Sequence, residues 1–90
     1  MSHQRLGGAL STATLTRLAW LLQAPDGRWQ GTDELVASPG QAHQFRLAQS
    51  AAEWLRATEQ PHPERWRLVP ATLAAHPAEP HRWGLLSLHD

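Results

Sequence analysis

The stretch "STATLTRLAWLL", residues 11–22, decides how the chain is read. Leu15, Leu18, Ala19 and Leu22 fall at i, i+3, i+4 and i+7, the stripe of an amphipathic helix. Ser11 supplies an N-cap in front of it. Trp20 lies about 140° from Leu15 at about 100° per residue, so it must cover a second surface. "APDG" at 24–27 stops this helix with a proline and an Asp-Gly turn. Upstream, "MSHQRLGGAL" at 1–10 carries two glycines and little pattern, and is read as a lead-in.

Downstream, "RWQ" at 28–30 reads as a short extended piece. Thr32 then caps a second short helix through "ELVA", with Asp33 and Glu34 in the first turn, where the helix dipole favours acids. Ser38, Pro39 and Gln41 form a capping-box signature that opens a third helix, expected to run to about Glu59. Around that helix Trp54, Leu47, Ala51, Leu55, Ala48 and Ala52 share an apolar arc with Phe45, and Arg56, Gln49, Glu53, Arg46 and Ser50 fill the opposite side. Beyond Pro61 the period changes to two: "ERWRLV" alternates, with Trp66 and Leu68 on one face. Pro70 ends that strand, residues 70–76 are a short helix or a loop, and "RWGLLSL" at 82–88 is a second strand.

Composition bounds the function. Ninety residues make one domain, here residues 11–90. No apolar run approaches the roughly 20 residues that a membrane helix needs. No signal-peptide pattern opens the chain either, so the expected compartment is the cytoplasm. The absence of cysteine removes disulfides, thiolate nucleophiles and sulfur-ligated metals. Eight arginines and no lysine balance eight acids, and this neutrality argues against binding driven by nucleic-acid phosphates. Near-zero charge also favours association, and protonating all six histidines would lift the net charge to about +6. Arginine without lysine, together with five tryptophans, is the bias of protein–protein interface cores.

The element order helix, strand, helix, helix, strand, loop, strand resembles the winged-helix variant of the helix-turn-helix. "LTRLAWLLQAPDGRWQGTDELVAS" stands where its first two helices would be, "QFRLAQSAAEWLRA" where its recognition helix would be, and "RWRLVP" where its first wing strand would be. The resemblance implies a helix-rich α+β fold, three helices followed by a β-hairpin. It also implies a DNA-binding regulator acting as a dimer, reading duplex DNA through His43, Gln44, Arg46, Gln49 and Arg56.

The residues themselves favour protein recognition. Arg28-Trp29, Arg65-Trp66 and Arg82-Trp83 repeat one doublet. Neighbours on a strand point to opposite faces, so each doublet sends Trp inward and Arg to solvent rather than stacking on itself. Paired as a hairpin, the two strands would bring Trp66 near Trp83 and gather Arg65, Arg67 and Arg82 on one outer face. Trp and Arg dominate binding hot spots, so Trp20, Trp83 and those three arginines are the expected contact surface for a protein partner or for self-association. The size matches that of small inhibitors encoded by phages and mobile elements, anti-CRISPR inhibitors among them, an analogy of class alone. An enzyme is not expected: no serine sits in a nucleophile elbow, no Gly-rich phosphate loop follows a strand, and Asp33-Glu34 suit a helix start. His76 with His81, and His62 with Glu64, straddle prolines without a metal-site spacing. No cofactor and no small-molecule substrate are implied.

Overall fold

The computed structural model describes residues 15–89, so Ser11 and the 1–10 lead-in lie outside them. Five strands form one antiparallel sheet: β1 (Thr16–Gln23), β2 (Trp29–Gln30), β3 (Leu35–Val36), β4 (Arg67–Ala75) and β5 (Trp83–Leu88), in the order β3-β2-β1-β4-β5. The described helix is α1 (Ala48–Ala57), with 3₁₀ turns at Pro39–Gln41 and Pro63–Arg65. The chain is therefore β-rich, and the helix-rich winged-helix reading, with its helix-turn-helix, is overturned.

The correction begins at residues 15–22. Ala19 and Leu21 are buried on one face of β1, while Trp20 and Leu22 pack on the other. A strand buried on both faces reads as a continuous apolar run, and "LAWLL" fits that as well as a helical stripe. Long-range pairing decides between them: β1 runs against β4 from Thr16↔Ala74 to Gln23↔Arg67. In the second expected helix, Leu35 and Val36 instead pair back on Gln30 and Trp29 as β3. The expected third helix loses its first third. Ser38 does cap Gly40, but only over one 3₁₀ turn, and the chain runs extended through Ala42 and Leu47 before α1 starts at Ala48.

Phe45 explains that extended stretch. It exchanges both backbone hydrogen bonds with Trp20, at 2.7 and 2.9 Å, so it continues the edge of β1 where β2 leaves off. Because Trp20 commits both groups to Phe45, its opposite partner Pro70 sits in a non-hydrogen-bonded pair. The Pro70 carbonyl accepts from the His89 amide on the other side, and its missing N–H would face residue 89, beyond the end of β5. A proline that ordinarily marks a strand end or edge is thus accommodated in the fourth residue of an inner strand.

The sheet curls around its first face. Leu21, Trp29, Ala42, Val69 and Ala71 form the core there, with Val36 from β3 and Leu85 and Leu88 from β5 packed on them. The 3₁₀ turn after β3 lies against β5, so the two ends of the sheet approach one another across this concave face. On the second face α1 covers only part of the sheet: Leu22, Phe45 and Ala51 are buried, flanked by Trp20, Trp54 and Trp66. Trp54 stands 6.4 Å from Phe45 and 6.3 Å from Trp66, ring centre to ring centre. Such tilted ring contacts add to the gain from buried area.

Candidate binding surface at the β5 edge and the Trp83 end

β5 is a sheet edge carrying "WGLLSL", six residues without a charge or a proline. Edge strands of soluble proteins are usually protected by such residues, because unpaired N–H and C=O groups template further pairing. Its defence is an irregularity, a bulge-like break in the ladder. The β4–β5 register shifts between Thr72 and Leu73, leaving Leu86 unpaired and 61% exposed. The other edge, β3, is two residues long. Beside β5, the part of the second face that α1 leaves bare carries Leu18, 64% exposed, with Ala74 and Gly84. A shallow groove of about 290 Å³ opens along the hairpin between Ala74, Ala75, His76, Pro77, Arg82, Gly84 and Leu85.

The concave face ends in a cluster of different chemistry. Trp83 pairs with Ala75, and Arg17 with Leu73, so both rise from the same face, two residues apart along β4. The Arg17 guanidinium lies over the Trp83 ring, 4.2 Å from its centre, a cation–π contact. Arg17 Nε is shut off from solvent and has no hydrogen-bond partner. Gln44, pointing opposite to Phe45, donates its amide to the Trp83 carbonyl at 3.0 Å and ties the chain before α1 to this end of β5. Partial burial and, next, the positive charge of Arg46 lower the Arg17 pKa from its ordinary value.

The expected contact residues scatter across the molecule. Trp20 is half-buried among Leu22, Phe45 and Ala51, as part of the core. Trp66 packs on Trp54, while Trp83 pairs with Ala75 at the far end of β4, so the hairpin forms without bringing the two indoles together. Arg65 lies exposed in its 3₁₀ turn. Arg67 opens β4 and donates to Gln23 Oε1 at 3.0 Å. It is eight rungs from Ala75, roughly 26 Å at about 3.3 Å per residue. Arg82 is exposed beside Trp83 and pairs with Glu79 at 3.3 Å. Each doublet does send Trp inward and Arg outward: Trp29 is buried while Arg28 pairs with Asp26 at 2.8 Å.

The residues expected to read DNA do not share one helix face. His43, Gln44 and Arg46 precede α1, with the His43 ring edge-on to Phe45 at 4.6 Å. On α1, Gln49 donates to Glu53 at 3.1 Å and Arg56 occupies the last turn. Sequence reasoning missed Arg17, because a helix at 11–23 puts it on a solvent face and only the β1–β4–β5 register brings it to Trp83.

Among the described residues no three His, Asp or Glu side chains gather as a metal site, and no helix is long and apolar enough to cross a membrane. The fold and surface define a small curled antiparallel sheet with one helix and an open edge. No family model matches the chain, and comparison with curated proteins and with solved structures finds no match either.

Proposed function

We propose that this chain is a non-enzymatic protein-binding module, an adaptor or inhibitor that docks on a larger protein or on a second copy through the β5 edge. One observation carries the reading: an uncharged edge strand with Leu86 61% exposed, beside a bare sheet face with Leu18 64% exposed. An extended segment added to such an edge gains main-chain hydrogen bonds, and the alternating side chains beside it set specificity. Zero net charge leaves approach to a protein surface free of overall repulsion.

The test is site-specific photo-crosslinking in cells of the source, with a benzophenone side chain at position 86 or, as control, at position 56 on the polar side of α1. Adducts are expected from position 86, none from position 56, and loss of the adducts when Ser87→Lys charges the edge. An adduct of twice the chain's mass would name a second copy as the partner. Equal adducts from both positions, or none from position 86, would overturn the reading.

A further inference from the structure

We propose that Arg17 and Arg46, at the Trp83 end of the concave face, form an oxyanion site that takes the carboxylates of an acidic protein segment. The inference rests on the protein-binding reading above and names the chemistry of the partner.

The site is built as well as charged. The Arg17 guanidinium carbon stands over the Trp83 ring, 4.2 Å from its centre, which restricts where its donor fork can lie. Its Nε is covered and unpartnered, so an incoming carboxylate is met by the terminal nitrogens of the guanidinium. Arg46 follows Phe45, whose pairing with Trp20 sets residue 46 beside Ala19, on the same face as Arg17 and two residues along β1 from it. Two like charges so placed raise each other's energy unless an anion lies between them, and among the described residues no carboxylate pairs with either. Among the described residues, Asp26 pairs with Arg28, Glu64 lies near His62 and Glu79 pairs with Arg82. Glu53 accepts from Gln49. The one acid in the β4–β5 turn is thus already taken.

The rest of the cluster favours a carboxylate over a phosphate. Phosphate sites usually draw on backbone N–H groups at a helix N-terminus or a Gly-rich nest. Arg17 and Trp83 instead sit on strands, and Gln44 and Arg46 flank the Trp20–Phe45 bridge ahead of α1. Gln44 is turned inward to the Trp83 carbonyl and holds the wall in place. The site also adjoins the end of the β5 edge: Gln44 already occupies the Trp83 carbonyl, so a strand pairing with β5 stops short of Trp83 and points its last side chains toward the Arg17 guanidinium. An acidic residue near the end of such a strand would then be read by charge while its backbone pairs with β5.

The experiment uses the purified full chain, with NMR detection of the arginine Nε–Hε and tryptophan indole signals during titration with hexaglutamate and, separately, inorganic phosphate. Hexaglutamate is expected to shift the Arg17 and Trp83 signals saturably. Charged hydrogen bonds of this kind are strong enough that Arg17→Gln and Arg46→Gln should each weaken binding about tenfold. Arg17→Lys keeps the charge but loses the flat fork, and should weaken it too. Arg56→Gln, on the far side of α1, should leave it unchanged. Arg46 is exposed, so its variant tests the site even if Arg17→Gln disturbs the fold. Equal loss in Arg56→Gln, no shift with hexaglutamate, or saturation by phosphate alone would each overturn the assignment. None of these variants alters the β5 edge, so the site can fail while crosslinking at position 86 succeeds.

Discussion

Leu21 and Leu18 lie three residues apart, and replacing each by alanine separates a strand from a helix. In β1, Leu21 is 1% exposed and packs with Trp29, Val69, Ala42 and Ala71, whereas Leu18 is 64% exposed. Leu21→Ala removes three buried carbons, about 2.4 kcal/mol at about 0.8 kcal/mol each. The cavity left in an interior that relaxes only partly raises the cost to about 3–5 kcal/mol. Domains of this size hold only about 5–15 kcal/mol in total, so the variant should lose about 12 °C or more in Tm or fail to fold. Leu18→Ala removes the same atoms from solvent-facing β-surface and should cost less than about 1 kcal/mol. Urea unfolding followed by circular dichroism measures both. In a helix with the stripe Leu15, Leu18, Ala19 and Leu22 the order reverses, so a Leu18→Ala penalty equal to or above that of Leu21→Ala would refute the strand.

The remaining predictions concern glycine, proline and pH. A Cβ at Gly31 would stand 2.7 Å from the Glu34 carbonyl oxygen and 3.0 Å from Val36 Cγ1. Gly31→Ala should therefore destabilise the β2–β3 turn, read as a lower Tm in calorimetry. Gly84→Ala meets nothing within 4 Å. It should leave thermal stability unchanged or slightly raised, and a large loss would place residue 84 elsewhere. Pro70→Ala breaks no β1–β4 rung and should cost no more than about 1 kcal/mol, chiefly through the unfolded chain, in the urea assay. Asp26 accepts from the Arg28 side chain and amide, which holds its carboxyl below the ordinary aspartate value. A depressed pKa means that the pair's contribution is present above the ordinary aspartate value and is lost as pH falls through the lowered one. Carbon-detected NMR titration of the Asp26 carboxyl should therefore show a midpoint below that of a model aspartate, returning to it in Arg28→Gln.

What the sequence disclosed follows the range of the forces involved. Local sequence placed the start of β4 through a period of two, and extended chain at Trp29–Gln30 and Trp83–Leu88 through short runs bounded by turn residues. Most of the apolar arc of α1 was also legible: Ala51 is buried, Ala48, Ala52, Trp54 and Leu55 are half-buried, and Gln49, Ser50, Glu53 and Arg56 face solvent, but Leu47, expected on the arc, stands ahead of the helix 61% exposed. What stayed hidden needs pairing across the chain. β1 and β4 meet across more than forty residues, and nothing in "LTRLAWLL" reveals a partner so far away. Ser38-Pro39 gives a true capping signal, but the Phe45–Trp20 bridge overrides helix propensity for the residues that follow. Pro70 reads as a strand end unless Phe45 is known to satisfy the backbone opposite. The Arg17–Trp83 contact depends on three strands in register, so the candidate site was less legible than the elements that build it.

The binding surface, the cation site and the stability predictions all depend on residues 16–23 being an inner strand of a curled sheet. Two-dimensional NOE spectroscopy tests this most directly. Non-hydrogen-bonded antiparallel pairs bring α-protons together, so strong Hα–Hα contacts are expected for Trp20–Pro70, Leu18–Thr72 and Leu22–Leu68. Sequential amide contacts with Hα(i)–HN(i+3) cross-peaks through residues 16–23, and no α-proton contact to residues 68–72, would contradict it.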